Sequence, residues 1–145
     1  MTFDELRSML RGEAGQPGGI VRAVEAIGPA SLRVEMETVP GRSHGVWLAQ
    51  EMSADGETLR IIAPAARIPK GRELAPDAAR ALLRRNAQLS AGALALVSLD
   101  GDEHIALSVP LALATIDAPT ALLAMLRAAN AADAFEETQG SGDAL

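Results

Sequence analysis

Residues 75–109 read APDAARALLRRNAQLSAGALALVSLDGDEHIALSV, and this stretch decides the fold. Pro76 and Asp77 are typical of the first turn of a helix, where a proline loses no hydrogen bond and a carboxylate faces the positive end of the helix dipole. Apolar residues then recur at helical spacing up to Leu89, and Gly92 ends the helix. The stretch therefore predicts a helix that leads directly into strands.

The second half of the stretch predicts a β-hairpin. Residues 93–98 are apolar at nearly every position, which favours a strand in the middle of a sheet, covered on both faces. Asp100-Gly101 is a typical hairpin turn, and the apolar residues after it alternate with small or polar ones. Pro110 has no N–H to donate, so we expect strand pairing to stop near it. The side chains expected to be buried together are Leu82, Leu83, Leu94, Leu96, Ile105 and Leu107.

Helices and three strands are predicted before this stretch. Thr2 and Glu5 form a capping-box pattern for a helix that begins at Phe3. Residues 17–28 are predicted as a second helix from the spacing of their apolar side chains, and a strand is the open alternative. The strands that follow are centred on residues 32–36, 46–49 and 59–63. Pro64 is expected to end the third of them.

A final helix and an acidic tail follow the hairpin. Asp117 is the predicted N-cap of this helix, which we expect to run to about Phe135. Residues 1–135 are predicted to form a single domain, and residues 136–145 a disordered acidic tail. The element order predicts an α+β fold in which a five-stranded antiparallel sheet (three strands, a helix, two strands) has helices packed on it.

Composition disfavours several classes of function. The 145 residues suit one domain, and the absence of cysteine excludes disulfide and thiolate chemistry. The net charge of −6 with scattered arginines disfavours nucleic-acid binding. No stretch reaches the roughly 18 consecutive apolar residues of a membrane span, and no secretory signal is visible. We therefore expect a cytoplasmic protein with neither nucleic-acid nor membrane partners.

The chemistry-bearing residues form no recognisable catalytic pattern. His44 and His104, the only histidines, lack metal-ligand spacing, and Asp100-Gly101-Asp102 lacks the rest of a calcium loop. A hairpin turn leaves these carboxylates exposed, without the burial that prepares an acid or base for catalysis. Trp47 is expected in the core. We predict no catalytic residue, no metal and no cofactor.

Several motifs carry a resemblance to a known family. They are Ala-Leu-Leu-Arg-Arg-Asn at 81–86, Gly-Ala-Leu-Ala-Leu at 92–96, the Asp100-Gly101 turn, Ile-Ala-Leu at 105–107 and the connection from Leu111 to Asp117. With these motifs, residues 58–135 resemble the type III secretion chaperone-like superfamily. That superfamily includes the class I effector chaperones (the Tir chaperone family) and stand-alone bacterial proteins, some of them labelled sensory-transduction regulators.

This resemblance implies a homodimer that holds a segment of a client protein in non-globular form, without enzyme activity. Members often pair through the helix that corresponds here to Pro76–Leu89 and the strand after it, which makes Ala79 and Leu83 the candidate dimer interface. Two other hypotheses stay open. One is a stand-alone regulatory or scaffold protein of the same fold, and the other is a small-molecule-binding domain.

Overall fold

The computed structural model describes residues 1–54 and 56–138, without the side chains of residues 137 and 138. The fold is α+β, as predicted, with six strands in one sheet instead of five. The elements are α1 (Phe3–Ala14), β1 (Val21–Gly28), β2 (Ser31–Val39), β3 (Arg42–Ser53), β4 (Gly56–Ile68), α2 (Pro76–Asn86), β5 (Ala93–Leu99), β6 (Asp102–Ala112), a 3₁₀ helix (Leu113–Thr115) and α3 (Ala118–Thr138).

The sheet is antiparallel throughout, in the order β1-β2-β3-β4-β6-β5. The first four strands form a meander because short turns join each strand to its neighbour. The chain then leaves the sheet for α2 and returns with β5 at the outer edge, while β6 pairs with β4. The prediction that residues 93–98 form a central strand is therefore wrong. Alternating alanines make this strand apolar on both faces without requiring that both be covered.

The predicted helix over residues 17–28 is wrong, because most of this segment forms the edge strand β1. Its pairing with β2 shifts register between Val21 and Ala23 and again between Ala26 and Gly28. Each shift moves the following side chains to the other face, which removes the alternation that identifies a strand. The remaining apolar spacing then matches a helix. This strand accounts for the sixth member of the sheet.

Two prolines lie inside strands that they were predicted to end. β4 continues past Pro64 to Ile68, and β6 continues past Pro110 to Ala112. The N–H and C=O of Leu94 point away from β6, so those of its β6 partner Leu107 point toward β4. This direction alternates from residue to residue along an antiparallel strand. The Pro110 nitrogen therefore points toward the β5 side, where β5 has already ended. The same alternation turns Pro64 toward β3, whose pairing with β4 stops at Trp47. Neither proline therefore breaks a ladder bond.

One hydrophobic core joins the sheet to α1 and α3. Alternate residues of β2, β3 and β4 point into it, and α3 contacts four of the strands. The fully buried large side chains are Leu6, Leu10, Val21, Leu32, Val34, Met36, Leu48, Leu59, Ile61, Ile105, Leu113 and Met125. The opposite face of β2 and β3 carries charged and half-buried residues such as Arg33 and Glu35. The helices therefore lie on one face of the sheet.

The predicted helix starts are confirmed. The Thr2 hydroxyl accepts from the Glu5 N–H at 3.1 Å, and the Thr2 N–H donates to the Glu5 carboxylate at 2.9 Å. Asp117 accepts from the Thr120 N–H at 2.9 Å. The last helix continues to Thr138, beyond the predicted boundary at 135, and most of the predicted tail, residues 139–145, lies outside the described residues. In the described part of the chain, no helix is long and apolar enough to cross a bilayer.

Candidate functional site

Helix α2 lies at the β5 end of the sheet and buries none of its residues fully. Leu82 packs partly against the core, whereas Leu83 is 71% exposed. On β5, Leu94 is buried but Leu96 is 48% exposed. The prediction that six side chains of this region are buried together is therefore wrong for Leu83 and Leu96, and right for Leu94, Ile105 and Leu107.

Two polar contacts attach α2 to the rest of the chain. The Asn86 amide accepts from the Leu94 N–H at 2.6 Å and donates to the Leu94 carbonyl at 3.1 Å. It therefore occupies the outer edge of β5 as a neighbouring strand would. One helical position earlier, the Arg85 guanidinium lies 5.7 Å from the centre of the Phe135 ring on α3. These contacts hold α2 in place above a space that it does not fill.

That space is an apolar groove between the α2–β5 segment, β6 and α3. One part has a cavity volume of about 330 Å³ and a second, which shares Leu89, Leu107 and Ala131 with it, about 250 Å³. We call the two together the apolar groove. Its apolar lining consists of Leu89, Ala91, Leu94, Leu107, Val109, Leu111, Leu123, Ala124, Ala128, Ala131, Ala134 and Phe135.

The lining of the groove contains few polar residues, and they are separated from one another by apolar ones. Ser90, Thr120 and Arg127 line the larger part, and Arg85 lines the smaller. Leu123 on α3 is 46% exposed beside them. An apolar concave surface with a few separated polar groups suits binding of an apolar ligand or side chains.

The candidate interface residues lie beside this groove and do not line it. Ala79 is half-buried and Leu83 is exposed, and because they are four residues apart they share one side of α2. Arg80 and Arg84 are exposed on the same helix. The structure thus places Ala79 and Leu83 on one side of α2, with Leu83 accessible and Ala79 half-buried.

The acidic hairpin turn has structural contacts. His104 Nδ1 lies 3.1 Å from the Asp102 carbonyl, and the Asp102 carboxylate pairs with Arg67 at 3.4 Å. On β1 and β2, a 2.6 Å hydrogen bond between Arg22 and Glu37 raises the pKa of Arg22 and lowers that of Glu37. Neither group contacts the apolar groove.

Trp47 is half-buried and not in the core, so its predicted position is wrong. It lies on the sheet face that carries no helix, opposite Arg33, whose guanidinium is 5.1 Å from the ring centre. The neighbouring Gly45 leaves room for this ring, because a Cβ there would lie 3.1 Å from it. Sequence alternation identified the strand but not the face that the helices cover.

Sequence reasoning did not find the groove, because its walls come from distant segments. Leu123 belongs to the apolar residues that predicted the last helix, but their spacing did not show that Leu123 and Ala124 line a groove. Two neighbouring leucines such as Leu122 and Leu123 can lie on one apolar face of a helix, so no local pattern distinguishes a groove residue from a core residue. No known family model, curated protein or solved structure matches this chain.

Proposed function

We propose that the chain is a non-enzymatic protein-binding module that holds an apolar segment of a partner protein in the apolar groove. The observation that carries this proposal is the composition of the groove: a lining of leucine, valine and alanine, with Leu123 left 46% exposed at its side. Exposed apolar surface of this kind commonly marks an interaction site.

The charges beside the groove favour a segment with acidic flanks. Arg85 and Arg127 line its two parts, and Arg80 and Arg84 are exposed on α2, although the chain as a whole carries a net charge of −6. Complementary charge raises association rates and discriminates between partners more than it adds affinity. The proposed occupant is therefore an amphipathic segment that places aliphatic side chains in the groove and acidic residues beside these arginines.

We also propose that two copies pair through α2 and β5. Among the described residues, no strand pairs with the outer edge of β5, and the ladder alternation turns the N–H and C=O of Leu96 and Ser98 outward. Ala79 and Leu83 lie on α2 beside this edge. An antiparallel pairing of β5 with its copy would satisfy these groups, and the two-fold axis would bring both α2 helices together.

The groove is tested by selecting binders from a displayed library of short amphipathic peptides. Selected peptides should carry acidic flanks and should lose at least about tenfold in affinity for Leu123→Glu, because a buried charge opposes apolar contacts. Met52→Glu is the matched control, since Met52 is 74% exposed and lies on β3, away from the groove. Binders that respond equally to both changes, or a selection without Leu123-dependent binders, would reject the proposal.

The dimer is tested by light scattering at micromolar concentration. We expect twice the chain mass of 15.0 kDa for the wild type and a shift toward the monomer for Ala79→Glu. A wild-type mass of one chain rejects the dimer. A dimer that survives both Ala79→Glu and Leu83→Glu rejects an interface through α2.

A small apolar ligand is the second candidate occupant, because a volume of about 330 Å³ is within the range of small-molecule pockets. Thermal shift against a panel of apolar compounds distinguishes it, since a ligand that binds only the folded chain raises the melting temperature.

A regulatory or scaffold role would use the same groove for a folded partner. In the chaperone-like role, the bound segment lacks a tertiary structure of its own.

A further inference from the structure

Three side chains of the metal-ligating types meet at the C-terminal end of α3. His44 on β3 and Asp133 and Glu136 on α3 each offer a ligand atom, and these atoms lie within 4.8 Å of one another. Asp133 and Glu136 are three residues apart, so they share one side of the helix. His44 precedes the inward-facing Val46 by two residues and therefore lies on the face that α3 covers.

A backbone contact orients the His44 ring and selects the tautomer of its neutral form. Its Nε2 lies 2.9 Å from the Pro64 carbonyl oxygen, which can only accept a hydrogen bond. Nε2 therefore carries the hydrogen and donates, and in the neutral ring Nδ1 presents its lone pair. Histidines that bind metals commonly donate their second nitrogen to a backbone carbonyl in this way, which orients the ring.

A second contact orients Asp133. The Arg42 guanidinium pairs with its Oδ1 at 2.6 Å, and the Asp133 side chain is only 15% exposed. A guanidinium on one oxygen holds the carboxylate in place while the other oxygen can bind a cation. Carboxylates that bind metals are commonly held by such an outer hydrogen bond.

The charge distribution of α3 is unfavourable without a cation. Glu136 lies in the last turn, which contains no basic residue, and this is the negative end of the helix dipole. Asp133 adds a second negative charge within one turn of it. Arg42 on β3 pairs with Asp133.

We propose that His44, Asp133 and Glu136 bind one divalent transition-metal ion of the zinc type. One imidazole nitrogen and two carboxylate oxygens are typical zinc ligands and leave a fourth position for water. Calcium and magnesium prefer oxygen ligands alone, so the imidazole favours zinc over them. The bound ion joins the end of α3 to β3. This proposal differs from the sequence prediction of no metal and does not depend on the proposed function.

The test is calorimetric titration of zinc into full-length chain without a histidine tag, after a chelator has removed bound metal. We expect one ion per chain, and a loss of at least about tenfold in affinity for His44→Ala and for Glu136→Gln. Glu136 is exposed, so Glu136→Gln keeps the fold and separates loss of a ligand from loss of structure. Calcium at the same concentration should give no comparable binding.

His104→Ala is the matched control. His104 lies in the acidic hairpin with its Nδ1 3.1 Å from the Asp102 carbonyl, outside the three-residue cluster. This variant should bind zinc as the wild type does, and zinc should raise the melting temperature of both but not that of His44→Ala. No zinc binding to the wild type, or equal binding to the wild type, His44→Ala and Glu136→Gln, would overturn the proposal.

Discussion

Two parts of the sheet have similar apolar sequence patterns, but their apolar side chains are buried to different extents. In the part of the sheet formed by β2, β3 and β4, the inward side chains Leu32, Leu48 and Ile61 are fully buried beneath the helices. At the β5 end, Leu83 and Leu96 remain exposed although they belong to an equally leucine-rich helix and strand. Apolar periodicity therefore shows which side chains can be buried, while the helices that cover the sheet decide which of them are buried.

The difference follows from the two helices. α3 has 21 residues and lies across β2, β3, β4 and β6, with alanines at close contacts such as Ala121 and Ala129. α2 has 11 residues, and three of them are arginines. The short helix cannot cover the sheet end that it lies over. The strands under α3 are therefore well covered, whereas the β5 end leaves apolar side chains such as Leu96 exposed.

Removing leucine side chains from the two parts should give the largest contrast. Leu48→Ala should lower the free energy of unfolding by about 2–5 kcal/mol, because Leu48 is fully buried. Leu83→Ala, the same change in α2, should alter the free energy of unfolding of the single chain by less than about 0.5 kcal/mol, because Leu83 is 71% exposed there. Chemical denaturation of both variants measures the difference, and equal losses would show that α2 is packed as tightly as the core.

Gly92→Ala should give the next largest effect and shows how closely β5 approaches β6. Gly92 has φ of +72°, and a Cβ there would lie 2.6 Å from the Ser108 carbonyl oxygen. The backbone strain alone is about 1–3 kcal/mol, and the clash adds to it. Gly71→Ala is the control, because φ is +80° there and nothing lies within 4 Å. A loss in Gly92→Ala no larger than in the control would show that β5 moves freely.

Asn86→Ala should have a smaller effect, confined to the β5 end. It removes both hydrogen bonds to Leu94, and a loss of about 1 kcal/mol in unfolding free energy is expected. Hydrogen exchange should accelerate at the Leu94 amide and remain unchanged in β2 and β3. Asn130→Ala, an exposed position on α3, is the matched control. Unchanged exchange at Leu94 would contradict a role for Asn86 in attaching α2.

The smallest effect is expected from Asp117→Ala, at the start of α3. Hydrogen bonds from the Thr120 side chain and backbone N–H lower the pKa of Asp117. Because the folded-state pKa is below the unfolded one, this carboxylate stabilises the fold above the unfolded pKa, and the contribution is lost as pH falls through the folded pKa. The difference in melting temperature between wild type and variant should thus shrink in acid. A constant difference would contradict the capping role.

Short-range features were predictable from the sequence, because the contacts that form them lie within a few residues. The capping box of Thr2 and Glu5 and the N-cap at Asp117 needed only the hydrogen-bonding groups of one helical turn. The α+β class followed from the order of elements. Leu94, Ile105 and Leu107 were identified correctly as core, since each lies where the sheet is covered.

Features that depend on distant neighbours were not predictable. The register shifts of β1 concealed a strand. Pro110 could remain within a strand because β5 ends before it, and Pro64 because the pairing of β3 with β4 ends before it. The groove needs α3 and β6 to meet beside α2, and no local pattern contains that information. The approach of His44 to Asp133 and Glu136 likewise joins residues almost ninety positions apart.

The two hydrogen bonds between Asn86 and Leu94 attach α2 to β5 and also cover the outward N–H and C=O of Leu94. Both effects are therefore lost together. When α2 detaches, the outward N–H and C=O of Leu94 are exposed together with those of Leu96 and Ser98. The strand then presents an uninterrupted template for another β-strand. Detachment of α2 within one molecule is a first-order step, whereas pairing of the exposed edge with a second chain would be second order and would therefore increase with protein concentration.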